Sequence, residues 1–458
     1  MATVARAPQQ RQQARPQLLQ AGIAALTQPD IRDKLLFTFA LLVVFRFVSN
    51  LPVPGINSQA LSDLFERSTV LGFMNIFSGG ALANMSVAAM GVYPYITSSI
   101  VMQLMVPLVP ALQALSKEGE QGRKQISIYT HWMTVPMAFV QGYGQLILVQ
   151  SQGGITGIEL TGPNALETWS AIITMTAGTM FLVWIGELIS ERGIGNGISI
   201  LIFAGIIAGL PQFVGAQLYT GTGEGVFTTI VLGALVFGLV AYIVFFQEAQ
   251  RKIPVQYSRS VFRSGRMYRQ SGQTHIPLRV NTTGMIPLIF AFSIIIFPAY
   301  IGETLSTSSG GFIADVGSFM KDAFNPDNPG YWVFVFIVVI IFTFFYTVVV
   351  FQQQNLAENL QRQGGFVPGI RPGRPTQEYV NRVLIRITWG GAFFLGTVAV
   401  APYVFSHLVG ASSLGGSGRQ TAFGITSSGL IIVVGVVLDT LRQIEAQLLM
   451  RQYEGFIR

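Results

Sequence analysis

Long apolar runs separated by shorter polar stretches recur along the whole chain. A membrane-spanning helix needs about 20 apolar residues, and ten runs approach that length. They lie at 34–51, 84–105, 127–150, 167–189, 197–215, 226–246, 284–302, 331–351, 386–408 and 425–446. A run at 69–82 is too short to span and is predicted to form a re-entrant half-helix surrounded by protein or by a water-filled cavity. The pattern predicts an all-α membrane protein with ten transmembrane helices.

A proline motif occurs once in each half of the chain. Gly91–Ile96 reads GVYPYI and Gly284–Ile289 reads GMIPLI, so both match G-x-x-P-x-I. Each motif lies at the second of five predicted spans, in halves predicted at 31–215 and 216–458. Because an odd number of spans inverts the second half, related halves form an inverted repeat with the working site between them. A proline permits a helix to bend, so two bendable helices are expected at this seam.

Composition agrees with a membrane protein and excludes thiol chemistry. Charged residues make up 11% of the chain, whereas a soluble chain carries roughly 25%. The chain has no cysteine, which excludes disulfides, thiolate metal sites and a catalytic thiol. Residues 1–30 are rich in Gln, Ala, Pro and Arg without an apolar core. They are predicted to form a disordered cytosolic tail and not a signal peptide.

Lysine and arginine are distributed unevenly between the two sides of the predicted membrane. With the N-terminus in the cytosol, 24 of the 28 lysines and arginines fall on the cytosolic side, as the positive-inside rule requires. The four exceptions are Arg46, Arg67, Lys321 and Arg419. The distribution predicts that both termini are cytosolic.

Two long basic loops, 247–283 and 352–385, are predicted to be cytosolic. The second contains FVPGIRPGRPT, Phe366–Thr376, a tip stiffened by proline and glycine that holds Arg371 and Arg374 outward. Exposed arginines suit an acidic protein surface or phosphate. The loops therefore indicate a cytosolic partner, including one that contains RNA, although enforcing topology alone explains these arginines about equally well.

The motifs of several enzyme and transporter classes are absent from the sequence. No lysine follows a glycine, so there is no P-loop, and neither H-E-x-x-H nor G-x-S-x-G occurs. His131 and His407 are predicted to be interfacial polar residues. The predicted spans contain almost no ionisable residues besides Arg46 and Asp439, for which structural pairing is expected, whereas ion-coupled transporters bury carboxylates near the midplane. The sequence predicts a passive device with no cofactor and no enzymatic activity, driven from outside.

Six stretches, in order, resemble the SecY family, the channel subunit of the bacterial Sec protein translocase. They are Val44–Ile56, Asn75–Leu104, Trp184–Ile206, His275–Ala291, Phe366–Gly373 and Leu441–Phe456. The resemblance extends from about Pro29 to Arg458. It implies a channel in the cytoplasmic membrane that passes unfolded secretory polypeptides and releases membrane segments sideways into lipid.

The resemblance also implies which residues line the channel. The pore ring would be Val92, Ile96, Ile202, Ile289 and Ile432. An aliphatic ring dewets when empty, which blocks ions, and it deforms around a passing chain without offering hydrogen bonds. Valine at position 92 departs from the larger aliphatic residues common in the family, which affects the expected local width of the pore.

A plug and a lateral gate complete the implied channel. The plug would be roughly 71–83, including Phe77, Ser78, Gly79 and Gly80, in a Gly- and Ser-rich stretch that forms helix poorly. The lateral gate would be the seam between 84–105 and 284–302. Its polar contacts would come from Thr97, Ser98, Ser99, Asn196, Thr282 and Thr283. For Asn196, capping a helix is an equally good interpretation.

The resemblance further implies partners. The basic loops would dock the SecA ATPase or the ribosome through Arg251, Lys252, Arg259, Arg263, Arg371 and Arg374. SecE and SecG subunits, signal peptides, unfolded polypeptide and membrane lipid are the other expected partners. Two alternatives remain open at this point: a secondary transporter for a small solute, and an insertase or scaffold without a through-pore.

Overall fold

The structure is a computed structural model that describes most of the chain. The described residues are 28–53, 78–82, 84–151, 158, 161–218, 223–263, 266–281, 284, 286–306, 312–325, 328–354, 365–371, 373–408 and 417–454. Residues 1–27, nearly all of the predicted tail, lie outside them, as do residues 69–77 of the predicted half-helix.

Each of the ten predicted spans falls on a helix. The helices are α1 (Pro29–Val48), α2 (Tyr93–Leu108), α3 (Pro110–Lys117), α4 (Glu120–Ser151), α5 (Ala165–Arg192), α6 (Gly197–Leu218), α7 (Gly223–Glu248), α8 (Ile286–Ser306), α9 (Phe312–Ala323), α10 (Pro329–Gln354), α11 (Arg374–Leu408) and α12 (Ser417–Glu454). The short helices α3 and α9 lie between predicted spans. Within the described residues, Ala165–Arg192, Pro329–Phe351 and Arg374–Ala401 are long and apolar enough by themselves to cross a membrane. The pair α2 and α3, bent by 97°, counts as a fourth span if it is taken as one.

The second helix begins later than the apolar pattern predicts. Residues 84–92 form successive turns and a single bridge residue instead of helix, and α2 starts at Tyr93, immediately before Pro94. Gly91 has a φ of +56°, in the left-handed region that interrupts a helix and favours glycine. Proline is well tolerated in the first turn of a helix because the missing N–H would have no partner there. The glycine and the proline therefore set this boundary together.

Helix packing in the first half is repeated in the second. In the first half α2 packs on α4, α4 on α5, α5 on α6, and α1 on both α5 and α6. In the second half α8 packs on α10, α10 on α11, α11 on α12, and α7 on both α11 and α12. Counting spans in chain order, each contact recurs five spans later. The predicted fold of two pseudo-symmetric five-helix halves is confirmed, and the odd number of spans per half makes the repeat inverted.

The two halves meet on two sides of the molecule. On one side α6 packs extensively on α12 and also touches α7; on the other, α8 makes smaller contacts with α2 and α4. The two proline-motif helices, α2 and α8, therefore touch across the seam. This is the contact that the repeated motif predicts.

A small sheet, which the sequence did not predict, joins the two basic loops. Strands β1 (Gln250–Arg263) and β2 (Arg266–Arg279) form a hairpin that pairs from Gln250↔Arg279 to Arg263↔Arg266. Strand β3 (Gly365–Phe366), from the second loop, pairs with β1, so the strand order is β2-β1-β3. The buried apolar residues of the sheet, and those that pack against it, are Ile253, Val255, Leu278, Val367 and Val380. The spans are helical as expected, but the loops between them are not purely irregular.

Close backbone packing in the first half generates a test of the fold. A Cβ added at Gly178 of α5 would lie 2.0 Å from the carbonyl oxygen of Val87. We expect Gly178→Ala to lower the free energy of unfolding by about 1–3 kcal/mol, the usual cost of overpacking. Thermal unfolding of the purified protein in detergent measures it. Gly238→Ala is the matched control, since nothing lies within 4 Å of its Cβ position; equal melting temperatures for the two variants would contradict the packing.

Candidate functional site

The five predicted ring residues lie together at the seam between the halves. Val92 immediately precedes α2 and Ile96 lies in its first turn, while Ile202 comes from α6, Ile289 from α8 and Ile432 from α12. All five belong to one buried apolar cluster, with exposed fractions of 3, 7, 2, 7 and 2% respectively. The G-x-x-P-x-I motif places an isoleucine one turn into each proline helix, so Ile96 and Ile289 reach the seam from opposite halves. These five side chains are aliphatic, and the larger buried cluster around them also includes Phe45, Phe290 and Tyr346.

The described part of the predicted plug packs against this cluster. Ala81 is fully buried within it, and Ser78 is buried, with its Oγ accepting a hydrogen bond from the Leu82 N–H at 3.1 Å. Gly79 and Gly80 have φ of +69° and +84°. A Cβ at Gly79 would lie 2.7 Å from the Cα of Gly205 in α6. The plug backbone therefore rests directly on a helix backbone, and glycine is required at position 79 for both its φ and the close approach. Phe77 lies outside the described residues.

The end of α1 holds the segment that precedes α2. Backbone hydrogen bonds run from Val53 N to Met85 O at 2.9 Å and from Val87 N to Leu51 O at 2.8 Å. Arg46, in the last turn of α1, donates from Nη1 to the carbonyl oxygen of Gly79 at 2.9 Å. Sequence reasoning assigned Arg46 only a structural pairing. Its partner is a backbone carbonyl, which every residue has, so the sequence gives no signal of this hydrogen bond.

The predicted gate hydroxyls that the structure describes bond within the first half. Thr97 donates to Pro94 O at 2.9 Å and accepts from Nε2 of Gln141 in α4 at 3.0 Å. Ser98 is buried and also donates to Pro94 O, at 2.8 Å, while Ser99 accepts from Gln103 Nε2 at 3.2 Å. These bonds turn the hydroxyls toward α2 itself and toward α4.

The remaining gate candidates are an asparagine that caps a helix and two threonines that lie outside the described residues. Asn196 Oδ1 accepts from the Ser199 N–H at 3.2 Å, the geometry of an N-cap on α6, which favours the capping interpretation. Thr282 and Thr283 lie outside the described residues. Ile96 of α2 and Ile289 of α8 belong to the same buried apolar cluster at the seam.

The predicted docking residues lie on the sheet and beside it. Arg251 and Lys252 are exposed at the start of β1, and Arg371 is exposed five residues after β3. Within the hairpin, Arg259 pairs with Gln270 and Arg263 with Arg266, at the end far from α7. Arg374 starts α11 and its Nε lies 3.6 Å from Oε1 of Glu378, with both side chains largely exposed. The basic residues of the first loop therefore lie on the sheet, and those of the second loop follow β3 up to the start of α11.

An ionic network fastens the base of this sheet to the last helix. Arg442 of α12 donates from Nη2 to Glu248 Oε1 at 2.8 Å and to Gln247 O at 3.0 Å, at the end of α7. Its Nη1 lies 3.5 Å from Asp439 Oδ1, which is a structural pairing of the kind expected for Asp439. Arg279, at the end of β2, has a pKa lowered by partial burial and by Arg442, against the opposing effect of Asp439 and Glu248.

A cavity of about 350 Å³ opens beside this network. Its lining includes Asn196 and Ser199 from the first half and Arg279, Asp439 and Arg442 from the second.

Another polar pair lies between α4 and α5, where His131 Nε2 is 2.9 Å from Glu187 Oε1. Among the described residues no group of acids and histidines is arranged to hold a metal ion.

Two related five-helix halves that meet at a buried apolar seam are typical of inverted-repeat membrane transport proteins. The family model that matches the chain, over residues 86–441, is that of SecY. The chain is 40% identical, over 453 residues, to the protein translocase subunit SecY of Streptomyces galbus, covering 96% of this chain and all of that protein. This chain belongs to the SecY family. It is therefore a translocase subunit of the membrane and not an enzyme.

Solved structures agree with this fold. A structure described as showing how the plug domain of SecY stabilises the closed translocation channel matches with a TM-score of 0.60 and 16% identity, over 90% of this chain and 91% of that one. The Sec61 channel of the canine ribosome–channel complex matches with a TM-score of 0.54 and 16% identity, over the same shares. At this identity the match concerns the fold.

The Arg442 network generates a test of how the sheet is held. Arg442→Ala removes a charge-assisted hydrogen bond, for which we expect a loss of about 1–2 kcal/mol of local stability. Amide hydrogen exchange at 247–252 should then accelerate roughly five- to thirtyfold. Arg382→Ala, at an exposed position of α11, is the control. Unchanged exchange in the Arg442 variant would show that the network does not hold the hairpin.

Proposed function

We propose that this chain is the protein-conducting channel of a Sec translocase, which passes unfolded polypeptides across the cytoplasmic membrane and releases apolar segments sideways into lipid. The observation that carries the proposal is the buried cluster in which Val92, Ile96, Ile202, Ile289 and Ile432 converge from both halves. Membership of the SecY family supports the same function. The cluster is the pore ring in its closed state.

The chemistry of the ring suits a passage for varied polypeptides. Aliphatic side chains make a constriction that dewets when empty, so ions do not pass. They offer no hydrogen bonds that would hold a particular sequence, and they change rotamer to admit side chains of different size. Val92, the smallest of the five, sets the local width on the side of α2.

The segment around Gly79 acts as the plug. Ala81 lies in the ring cluster and Gly79 rests on Gly205, so this segment occludes one end of the constriction. Its glycines and serines form helix poorly, so displacing it sacrifices little regular structure. The structural neighbour named for a SecY plug domain has the same fold.

The lateral gate is the contact between α2 and α8. This contact is smaller than that between α6 and α12 on the other side of the seam, so the halves separate more readily at α2 and α8. Apolar contacts keep it shut, and signal peptides, which carry short apolar segments, compete for those contacts. The bonds of Thr97 and Ser98 within the first half stiffen the edge of α2.

The sheet faces the cytosol, where it docks the partner that supplies energy. The excess of lysine and arginine at this end of the spans supports an orientation with both termini cytosolic. Arg251, Lys252 and Arg371 are exposed there, available to the acidic surface of a SecA motor or to ribosomal RNA. The canine neighbour is part of a ribosome–channel complex. SecE and SecG subunits complete the translocase.

Two other functions explain the observations less well. A secondary transporter for a small solute needs polar or charged groups at the seam, where the five converging residues of the proposed ring are all aliphatic. An insertase or scaffold without a through-pore needs no ring of side chains from both halves. The seam therefore favours a channel over both.

A crosslinking experiment tests the path of the polypeptide. Cysteines at Ile96 and at Ile289, in this cysteine-free chain, should crosslink to a cysteine about halfway along a stalled secretory substrate, because both positions line the constriction. Ile337→Cys, on the exposed face of α10, is the control and should give no adduct. Adducts at the control alone, or at none of the positions while the substrate stays bound, would contradict a path through the seam.

A polar substitution in the ring tests the seal. Ile289→Asn should raise the ion conductance of the resting channel, or allow precursors with defective signal sequences to be translocated, because a polar side chain wets the constriction. Conductance across planar bilayers and translocation into vesicles measure the two effects. Ile337→Asn makes the same chemical change outside the ring and should change neither. Wild-type behaviour of the Ile289 variant in both assays would favour an insertase without a through-pore.

A further inference from the structure

Arg46 occupies an unusual place for a charged side chain. It lies in the last turn of α1, seven residues after Phe39 and three after Val43, both of which are exposed apolar residues. Its Nη1 donates to the Gly79 carbonyl oxygen at 2.9 Å, across 33 residues of sequence. The same nitrogen is 4.0 Å from the Cβ position of Gly80. The guanidinium therefore lies against the turn in which Gly79 and Gly80 adopt left-handed backbone conformations.

The two ends of the described segment are held differently. Downstream, Met85 and Val87 are tied by main-chain hydrogen bonds to Val53 and Leu51, just after α1, and Asn84 Nδ2 donates to Asn50 Oδ1 at 3.3 Å. The Gly79 turn is held to α1 by the Arg46 side chain and by packing against Phe45, whose Cζ is 3.3 Å from the Cβ position of Gly79. A side-chain hydrogen bond breaks without disturbing the main-chain hydrogen bonds of residues 85 and 87, so the Gly79 turn can move while those residues stay in place.

We propose that Arg46 is a positioning residue. Its hydrogen bond to the Gly79 carbonyl oxygen acts as a latch that keeps the plug segment packed against the apolar cluster. The inference rests on the proposed function, in which residues near Gly79 form the plug. A charge-assisted hydrogen bond to a backbone carbonyl is stronger than a neutral one. The carbonyl is available at position 79 whatever side chains the plug carries, so the latch depends on backbone position alone.

The chemistry of arginine suits this role better than that of lysine. The planar guanidinium presents several donors in a fixed fork on a long side chain, so it reaches from α1 to the turn with a defined geometry. Lysine keeps the charge as a compact, strongly hydrated ammonium group. Arg46→Lys is therefore expected to hold the plug weakly, and Arg46→Met, which keeps the length of the side chain without a donor, is expected not to hold it.

The test uses the purified full chain in proteoliposomes, with its partner subunits. Resting leak is measured as quenching of an entrapped dye by an external halide, and stringency as translocation of a precursor with a defective signal sequence. We expect Arg46→Met to raise the resting leak about tenfold and to relax stringency, and Arg46→Lys to fall between it and the wild type. Asn50→Ala, four residues after Arg46 and just beyond the end of α1, removes the bonds to Asn84 and to the Arg46 carbonyl oxygen but keeps the Arg46 guanidinium, and it should leave the resting leak unchanged.

A double variant separates the latch from a general loss of stability. Gly79→Ala displaces the turn by itself, because its Cβ would lie 2.7 Å from Gly205 Cα. Adding Arg46→Met to it should cause no further leak, since residues that act as one unit are non-additive. Additive leak, or an Arg46→Lys variant that leaks as much as Arg46→Met with a lowered melting temperature, would show a merely structural role.

The same vesicles distinguish failure of the latch from failure of the channel assignment. If Ile289→Asn leaks while both Arg46 variants seal as the wild type does, the latch is wrong and the pore assignment stands. If neither Ile289→Asn nor the Arg46 variants leak, the proposed function itself is contradicted. Should Arg46→Met fail to fold, Arg46→Gln, which removes the charge and shortens the side chain, replaces it in the comparison with Arg46→Lys.

Discussion

Contact between aliphatic side chains across the seam is the interaction on which the rest of the structure depends. Inside a membrane every backbone polar group must be satisfied within the protein, so the two halves cannot be joined by open hydrogen-bonding edges. They meet instead through side chains such as Ile96, Ile202 and Ile289, which associate without directional bonds. Such a contact separates and reforms without leaving unpaired donors or acceptors. A seam of this kind holds the halves together while remaining open to rearrangement.

Glycine makes the close packing around the seam possible. The turn at Gly79 rests on α6 at Gly205, and α5 approaches the Val87 carbonyl at Gly178. A Cβ at Gly197 would lie 1.8 Å from the Gly186 carbonyl oxygen, so α5 and α6 also touch through backbone. Helices in membranes pack closely through small residues because lipid provides little hydrophobic drive for their association. The bulky residues fill the seam and the glycines bring the helices close enough to form it.

The ten spans could be predicted because a membrane-spanning helix needs about 20 apolar residues, and runs of about that length can be read directly from the sequence. It placed the start of α2 too early, since the turns at 84–92 contain apolar residues that look helical by composition. The sheet was missed because its alternating pattern rests on few positions, such as Ile253 and Val255, within a loop rich in charge. The convergence of the five predicted ring residues could be predicted only from the family resemblance, because a single aliphatic residue in an apolar helix gives no sequence signal that it lines a pore.

The joining of both basic loops in one sheet has a mechanical consequence. Strand β1 continues from α7, β3 lies between α10 and α11, and the residues beneath the sheet include Val380 of α11. Arg442 adds α12 to the same assembly. A partner bound to the sheet therefore acts on four spans of the second half together, namely α7, α10, α11 and α12. A force applied there passes through α12 to α6, where the two halves make their more extensive contact.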